Sequence, residues 1–433
     1  MNWIWFGLIA GSVVTAAFTG KMAEVTAASI DSAKSAVTLA IGLIGVMAFW
    51  LGMLRIVQVG GFLHTLARWL HPLMVRLFPD VPADHPALSA MIMNIASNML
   101  GLGNAATPFG IKAMQELDSL NPHKGTATNA MVLFLAINTS NVALAPLGVI
   151  ALRASIGSEN AAGIWLPTLL ATLFSTCVGI LAAKLFQGLS VFSVGDRTAG
   201  QEESASEIDL PDEETLGTEQ PTSRPGCLLA LLSVGAIGVA FLLFLQSGLS
   251  DGQTLGPLLR NAVSAWLLPV LIVVMLGYGI AKRVAVYDAM IEGAKEGFQV
   301  AIRIIPFLVA ILVAAGIFRA SGLLDVMIAG VQPILSLIGF PAEALPMAIL
   351  RPLSGSGAYA IMAEILQAEG PDSLVGYLVS TLQGSTETTF YVLAVYFGAV
   401  GVIRIRHALV AGLTADLAGV IGAVVAVQWL LAG

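Results

Sequence analysis

Apolar stretches of about 20 residues, long enough to cross a hydrocarbon core about 30 Å thick, recur from one end of this chain to the other. Nothing else constrains the fold as much, because backbone N–H and C=O groups inside lipid must be satisfied by the chain itself. The candidate spans are 3–18, 36–54, 128–152, 164–186, 227–245, 262–280, 300–318, 374–399 and 408–431. Composition agrees: 57% of the 433 residues are hydrophobic and 11% charged, against roughly 25% charged in a soluble domain. No large soluble domain fits between the spans. The first stretch has no Lys or Arg ahead of it and no clean small-residue cleavage site, so it reads as a retained helix and not a signal peptide.

Two further apolar stretches are wrong for spanning helices. Residues 91–115 are interrupted by Asn94, Asn98, Gly101, Gly103, Asn104, Thr107 and Pro108, and residues 346–367 by Arg351, Pro352, Ser354, Gly355, Ser356 and Gly357. Each predicts a re-entrant hairpin: a short helix, an irregular polar tip and a short helix back. Freed backbone at membrane depth survives only where protein or a water-filled cavity surrounds it, so both breaks mark an interior site. They also belong to a repeat. In each half a helix leads to a proline-flanked segment (72–79 and 333–341), the hairpin, a polar-interrupted helix and a last helix. On this alignment Asn138-Thr139-Ser140-Asn141 falls on Gly384-Ser385-Thr386-Glu387.

Basic residues orient the halves. Arg55, Arg68, Arg76, Lys112 and Lys124 lie between the second and third spans, which predicts a cytoplasmic face. Counting onward puts Lys184, Lys282, Arg283, Lys295, Arg404 and Arg406 on the same side, with Arg153, Arg260 and Arg319 outside. The N-terminus is then cytoplasmic, the C-terminus outside, and the repeats inverted. The formal charge of −7 resides in residues 190–225, where nine acids face Arg197 and Arg224. This Glu-, Ser-, Thr- and Pro-rich segment predicts a flexible cytoplasmic linker between a first repeat (1–189) and a second (226–433). There is no basic patch for nucleic acid, and Cys177 and Cys227 have no metal or redox spacing.

Broken segments at matching places in inverted repeats point to a transporter's midplane site. The candidate binding residues are therefore Asn98, Asn104, Thr107, Asn138, Thr139, Ser140, Asn141, Arg351, Ser354, Ser356, Gln383, Ser385, Thr386, Glu387 and Thr388. Glu387 is the sharpest, since a carboxylate in an apolar helix needs a cation, a proton or a hydrogen-bonding solute. Either it meets a solute, or it forms a structural ion pair with Arg351. The amides and hydroxyls of 138–141 suit a neutral or zwitterionic solute, or else bond helix to helix. Asp416 is a second buried carboxylate, serving a coupling ion or a helix–helix hydrogen bond. No histidine cluster and no nucleophile motif predicts an enzyme, and no metal site or cofactor is expected beyond a coupling sodium ion or proton.

The string NMLGLGNAATPFGIKAMQEL (98–117) resembles the signature of the spore maturation protein A family, and RPLSGSGA (351–358) with QGSTETTFYVLAVYFGAVG (383–401) resembles that of spore maturation protein B. Nearly the whole chain looks like a fusion of the two, and both halves resemble the nucleoside recognition, or Gate, domain. Concentrative nucleoside transporters carry that domain, and there a Gln-Thr-Glu run beside a hairpin contacts the nucleoside. Gln383 to Glu387 is similar to that run, with Gly384 and Ser385 intervening.

The expectation is thus an all-α polytopic membrane protein with about nine spanning helices and two inverted repeats, each carrying a re-entrant hairpin. It moves a small polar solute, nucleoside-like by the resemblance, across the bacterial inner membrane, and is expected to be a homo-oligomer. The rival expectation is a non-transporting scaffold for envelope or spore maturation.

Overall fold

The computed structural model describes residues 2–101, 103–144, 146–192, 223–250, 255–335 and 339–432, so most of the acidic linker and Gly433 lie outside the described residues. Among them the chain forms helices only. The first half holds α1 (Asn2–Thr19), α2 (Met22–Val59), α3 (Phe62–Leu77), α4 (Pro86–Met99), α5 (Gly103–Ser119), α6 (Asn129–Ser140), α7 (Leu147–Ser155) and α8 (Trp165–Phe186). The second holds α9 (Arg224–Ser250), α10 (Leu255–Ala281), α11 (Val286–Ala320), α12 (Leu323–Leu335), α13 (Leu345–Leu350), α14 (Gly355–Glu369), α15 (Leu374–Ser385), α16 (Thr389–Gly398) and α17 (Ala408–Ala432). In order, α2 to α8 correspond to α11 to α17.

Among the described residues four helices are long and apolar enough to cross a membrane (Met22–Val59, Ala161–Phe186, Arg224–Ser250 and Ala408–Leu430), and the pair Leu308–Ala320 and Leu323–Gly330, bent by 75°, is either a broken span or a re-entrant loop. α9 carries a broad face of exposed leucines, among them Leu228, Leu231, Leu242 and Leu243, the surface of a helix whose solvent on that side is lipid. Two expected spans differ from the sequence reading. Residues 128–152 and 374–399 are each a pair of short helices, α6–α7 and α15–α16, separated by unwound backbone. Pro146, which has no N–H to donate, stands at the first break. The run Thr386-Glu387-Thr388, whose β-branched threonines resist helical crowding, forms the second.

Equivalent helices of the two halves pack on each other in opposite senses. A β-carbon added at Gly293 or Gly297 of α11 would strike α2 at 51–55 or 47–48, whereas one at Gly316 would strike Ser32. The close points thus run antiparallel along the two helices. α8 and α17 do the same, with Gly422 against Ala171 and Gly179 against Ala415. Small residues at these crossings let backbones approach, the usual basis of helix association in lipid. Each hairpin sits in an apolar core drawn from both halves. Met91, Met114 and Phe134 of the first half pack with Val392, Tyr396 and Phe397 of the second, while Ile361, Leu366 and Leu382 of the second pack with Leu43, Val149 and Leu152 of the first.

Candidate functional site

The two hairpins and the two helix breaks converge, and the backbone hydrogen bonds explain how. The α4–α5 hairpin turns at Gly101, which adopts the left-handed conformation (φ 75°) that glycine tolerates. Its last α4 carbonyl, Met99 O, accepts from Leu144 N at 3.0 Å inside the first break. The Leu144 carbonyl in turn accepts from Trp165 Nε1 at 2.8 Å. In the second half, Pro352 O at the α13–α14 turn accepts from Phe390 N at 3.1 Å, just past the second break. Each hairpin therefore satisfies backbone freed in its own half's broken helix. The breaks also meet across the halves: Glu387 N donates to Thr139 O at 2.7 Å.

Amide side chains gather at the first break. Asn98 Nδ2 donates to Asn138 Oδ1 at 2.9 Å, and Asn141 Nδ2 reaches Asn98 O at 3.4 Å. Asn138 Nδ2 donates back to Phe134 O at 3.0 Å. Tyr396 of the second half enters this cluster, its hydroxyl accepting from Asn94 Nδ2 at 3.1 Å and lying 3.5 Å from Asn138 Oδ1. Thr139 and Ser140 are fully buried and donate to Ala136 O at 2.9 and 2.8 Å.

A guanidinium organises the second break. Arg351 is buried; its Nη2 donates to Thr386 O and its Nη1 to Thr388 Oγ1 at 3.3 Å. Only a looser contact, 3.7 Å, joins it to Glu387 Oε2. Gly355 lets the hairpin come this close, since a β-carbon there would lie 2.9 Å from Thr388 Oγ1. The Glu387 side chain is 45% exposed, in unwound backbone and not in the apolar helix that the sequence predicts. Next to it, Thr389 Oγ1 donates to Asp416 Oδ2 at 2.6 Å.

Of the expected site residues, these contacts join Asn98, Asn138 and Asn141 in one cluster and Arg351, Thr386, Glu387 and Thr388 in another, bridged through Thr139. Ser385 is buried and donates to Leu382 O at 3.0 Å, and Gln383 has a buried Oε1 with no protein partner. Ser354 caps α14, accepting from Gly357 N at 3.1 Å, and Ser356 lies in that first turn. Thr107 is half-buried within α5. The side chain of Asn104 lies outside the described residues.

Sequence reasoning missed the clasps that hold the broken helices together. Arg153, at the end of α7, is fully buried and donates to Pro371 O at 2.5 Å, Ser380 Oγ at 3.2 Å and Asp372 Oδ1 at 2.9 Å, with its guanidinium 4.4 Å from the Tyr377 ring centre. It binds the start of α15. Arg406, past α16, binds the start of α6 through Ala127 O at 3.1 Å and Asn129 Oδ1 at 2.9 Å. Beside it, burial and then the Arg406 charge push His407 down to about 4, leaving it neutral at physiological pH. An arginine following a proline-interrupted span was the available signal for Arg153. Tyr396 gave none, since its partner Asn94 is 302 residues away.

These features define a multi-pass helical membrane protein of two inverted halves whose discontinuous helices meet at a polar centre. The chain belongs to the Gate family, described as nucleoside recognition, whose family model matches residues 40–157 and 301–403. It is 40% identical over 186 residues to spore maturation protein A of Bacillus subtilis, covering 43% of this chain and 95% of that protein. It is 46% identical over 170 residues to spore maturation protein B of the same organism, covering 39% of this chain and 96% of that protein. The chain is thus consistent with a fusion of two such proteins. Among solved structures, the Alcanivorax borkumensis YdaH transporter aligns over 100% of this chain and 97% of its own at 14% identity and a TM-score of 0.44.

Proposed function

We propose that this chain is a transporter-like protein that binds a small polar solute, nucleoside-like in chemistry, between the amides of the first break and Glu387 of the second. The exposure of Glu387 carries the reading. Its backbone is pinned by Thr139, and its neighbour Arg351 is held by Thr386 and Thr388, yet its carboxylate stays half exposed and only loosely paired. A held, ionised acceptor of this kind suits paired hydroxyls such as a ribose diol, because charge-assisted hydrogen bonds are the strong ones. Asn98, Asn138 and Asn141 supply both donors and acceptors for a polar ring. The description of the family model, nucleoside recognition, supports the same solute class. On this reading residues 1–189 and 226–433 are the two Gate-type repeats and 190–225 joins them in the cytoplasm, with the C-terminus outside the inner membrane.

The test is a thermal-shift screen of the purified chain against nucleosides, amino acids and dicarboxylates. We expect a nucleoside to stabilise the wild type, and Glu387→Gln to weaken that response at least about tenfold, roughly 1.4 kcal/mol, while the protein stays folded. Stabilisation confined to amino acids or dicarboxylates rejects the solute class. An unaltered nucleoside response in Glu387→Gln rejects the site.

A further inference from the structure

Asp416 stands in α17 with 5% of its surface exposed. Oδ2 accepts from Thr389 Oγ1 at 2.6 Å, but Oδ1 has no protein partner. A bare carboxylate oxygen in an apolar bundle is costly unless something compensates it.

The surroundings identify what could. Gly412, Asp416 and Gly419 are four and three residues apart, so they share one face of α17. A β-carbon at Gly412 would lie 3.7 Å from Thr139 Oγ1, and one at Gly419 would lie 3.4 Å from Ser385 Oγ and 3.5 Å from Ser175 Oγ. These three hydroxyls flank the aspartate above and below, and all are buried. Their hydrogens are already committed: Thr139 to Ala136 O at 2.9 Å, Ser385 to Leu382 O at 3.0 Å and Ser175 to Ala415 O at 2.7 Å. What remains on each oxygen is lone-pair density. The face around Asp416 is therefore rich in acceptors and poor in donors.

Charge gives the same answer. Arg351 pairs with Glu387 at 3.7 Å, and among the described residues no ion pair reaches Asp416, so its carboxylate has no cation of its own. No group of three or more His, Cys, Asp or Glu side chains that could hold a metal ion occurs among the described residues. One carboxylate among hydroxyl oxygens is a hard, singly charged donor set, which disfavours a transition metal.

We propose that Asp416, with the hydroxyl oxygens of Thr389, Thr139, Ser175 and Ser385 around it, holds one sodium ion beside the second helix break. Thr389 is the first residue of α16, so the ion fastens that break to α17. The site needs no solute, and its test uses none.

The full-length protein, purified in detergent, is melted at about pH 8, well above the carboxylate range, in sodium chloride against choline chloride at matched ionic strength. The wild-type midpoint should climb with sodium, as it does for any ligand bound only by the folded state, and stay flat in choline. Asp416→Asn should abolish the rise. Thr389→Val should raise the half-effective sodium concentration at least about threefold, corresponding to roughly 0.6 kcal/mol. Equal midpoints in sodium and choline overturn the proposal, as does a sodium response that survives in Asp416→Asn. Stabilisation by acidification in choline, with no sodium effect, overturns it in favour of a proton. If Asp416→Asn does not fold, Thr389→Val and Ser175→Ala decide, and an unchanged sodium dependence in both refutes the site. Failure here leaves the solute reading standing, since no nucleoside is present.

Discussion

The two helix breaks occupy equivalent places in the repeat and are built from different chemistry. The first follows Ser140, the end of α6, and is lined by neutral amides, Asn98, Asn138 and Asn141, which bond mainly to one another and to nearby carbonyls. The second is three residues long, Thr386 to Thr388, and is held by a buried guanidinium with two carboxylates close by. Inverted symmetry places the breaks; it does not make them equal. The neutral break can be shaped by its own side chains because amides both donate and accept. The second leaves a buried carbonyl that a cation from the hairpin must satisfy. A centre made from both is electrically one-sided, and that asymmetry gives a symmetric scaffold a distinct place for charge.

The largest effect should come from the guanidinium. Arg351→Met removes the charged donor to both Thr386 O and Thr388 Oγ1, and at about 1.5–3 kcal/mol for each bond to a charged group the loss is on the order of 3–5 kcal/mol. Glu387→Gln, by contrast, should change stability by less than about 0.5 kcal/mol, because its pair with Arg351 is long and half exposed. Comparing the melting of the two variants without ligand checks this. If both fall equally, Arg351 and Glu387 form a structural pair and the claimed division of labour is wrong.

The next comparison uses the clasps. Arg153 is fully buried and has a carboxylate partner, Asp372, with further bonds to carbonyl and hydroxyl oxygens. Arg406 is only half-buried and binds neutral acceptors. Arg153→Met should cost about 3 kcal/mol and Arg406→Met nearer about 1.5 kcal/mol. A ratio reversed in thermal or chemical denaturation would mean that the first-half end of the molecule is the looser one.

Much of this was legible in the sequence. Composition and the recurring apolar stretches gave the all-helical membrane fold, and Asn98, Gly101, Arg351 and Gly355 marked the hairpins. The antiparallel order of the halves followed from where the arginines and lysines fall. What escaped was the unwinding of 128–152 and 374–399. A window about 20 residues wide averages Asn138–Asn141 or Ser385–Thr389 into its apolar flanks, so each break reads as continuous helix. The signals were local: Pro146 in one case, a run of threonines in the other. Arg153 and Tyr396 were harder, because what fixes them is a partner in the other half, and a single sequence carries no trace of that pairing.

A smaller effect than that of the guanidinium is expected at the neutral break, and it is the sharpest check on the contrast. Asn138 accepts from Asn98 through Oδ1 and donates to Phe134 O through Nδ2. Asn138→Ala removes both bonds and leaves the Asn98 amide without that acceptor. A neutral hydrogen bond contributes about 1 kcal/mol net, and a donor stranded in a buried site adds a comparable penalty. Asn98 is only part-buried, however, so a shift toward water relieves most of that second cost. The expected loss is therefore about 1–2 kcal/mol, clearly below that of Arg351→Met. Asn98→Ala removes the donor instead, and should cost less again, because Asn138 Oδ1 keeps Tyr396 OH within 3.5 Å. Melting the two single variants and the double gives the coupling between the amides. A coupling near zero would show that they share a place without forming a unit. A loss as large as that of Arg351→Met would erase the distinction between a break that shapes itself and one held from outside.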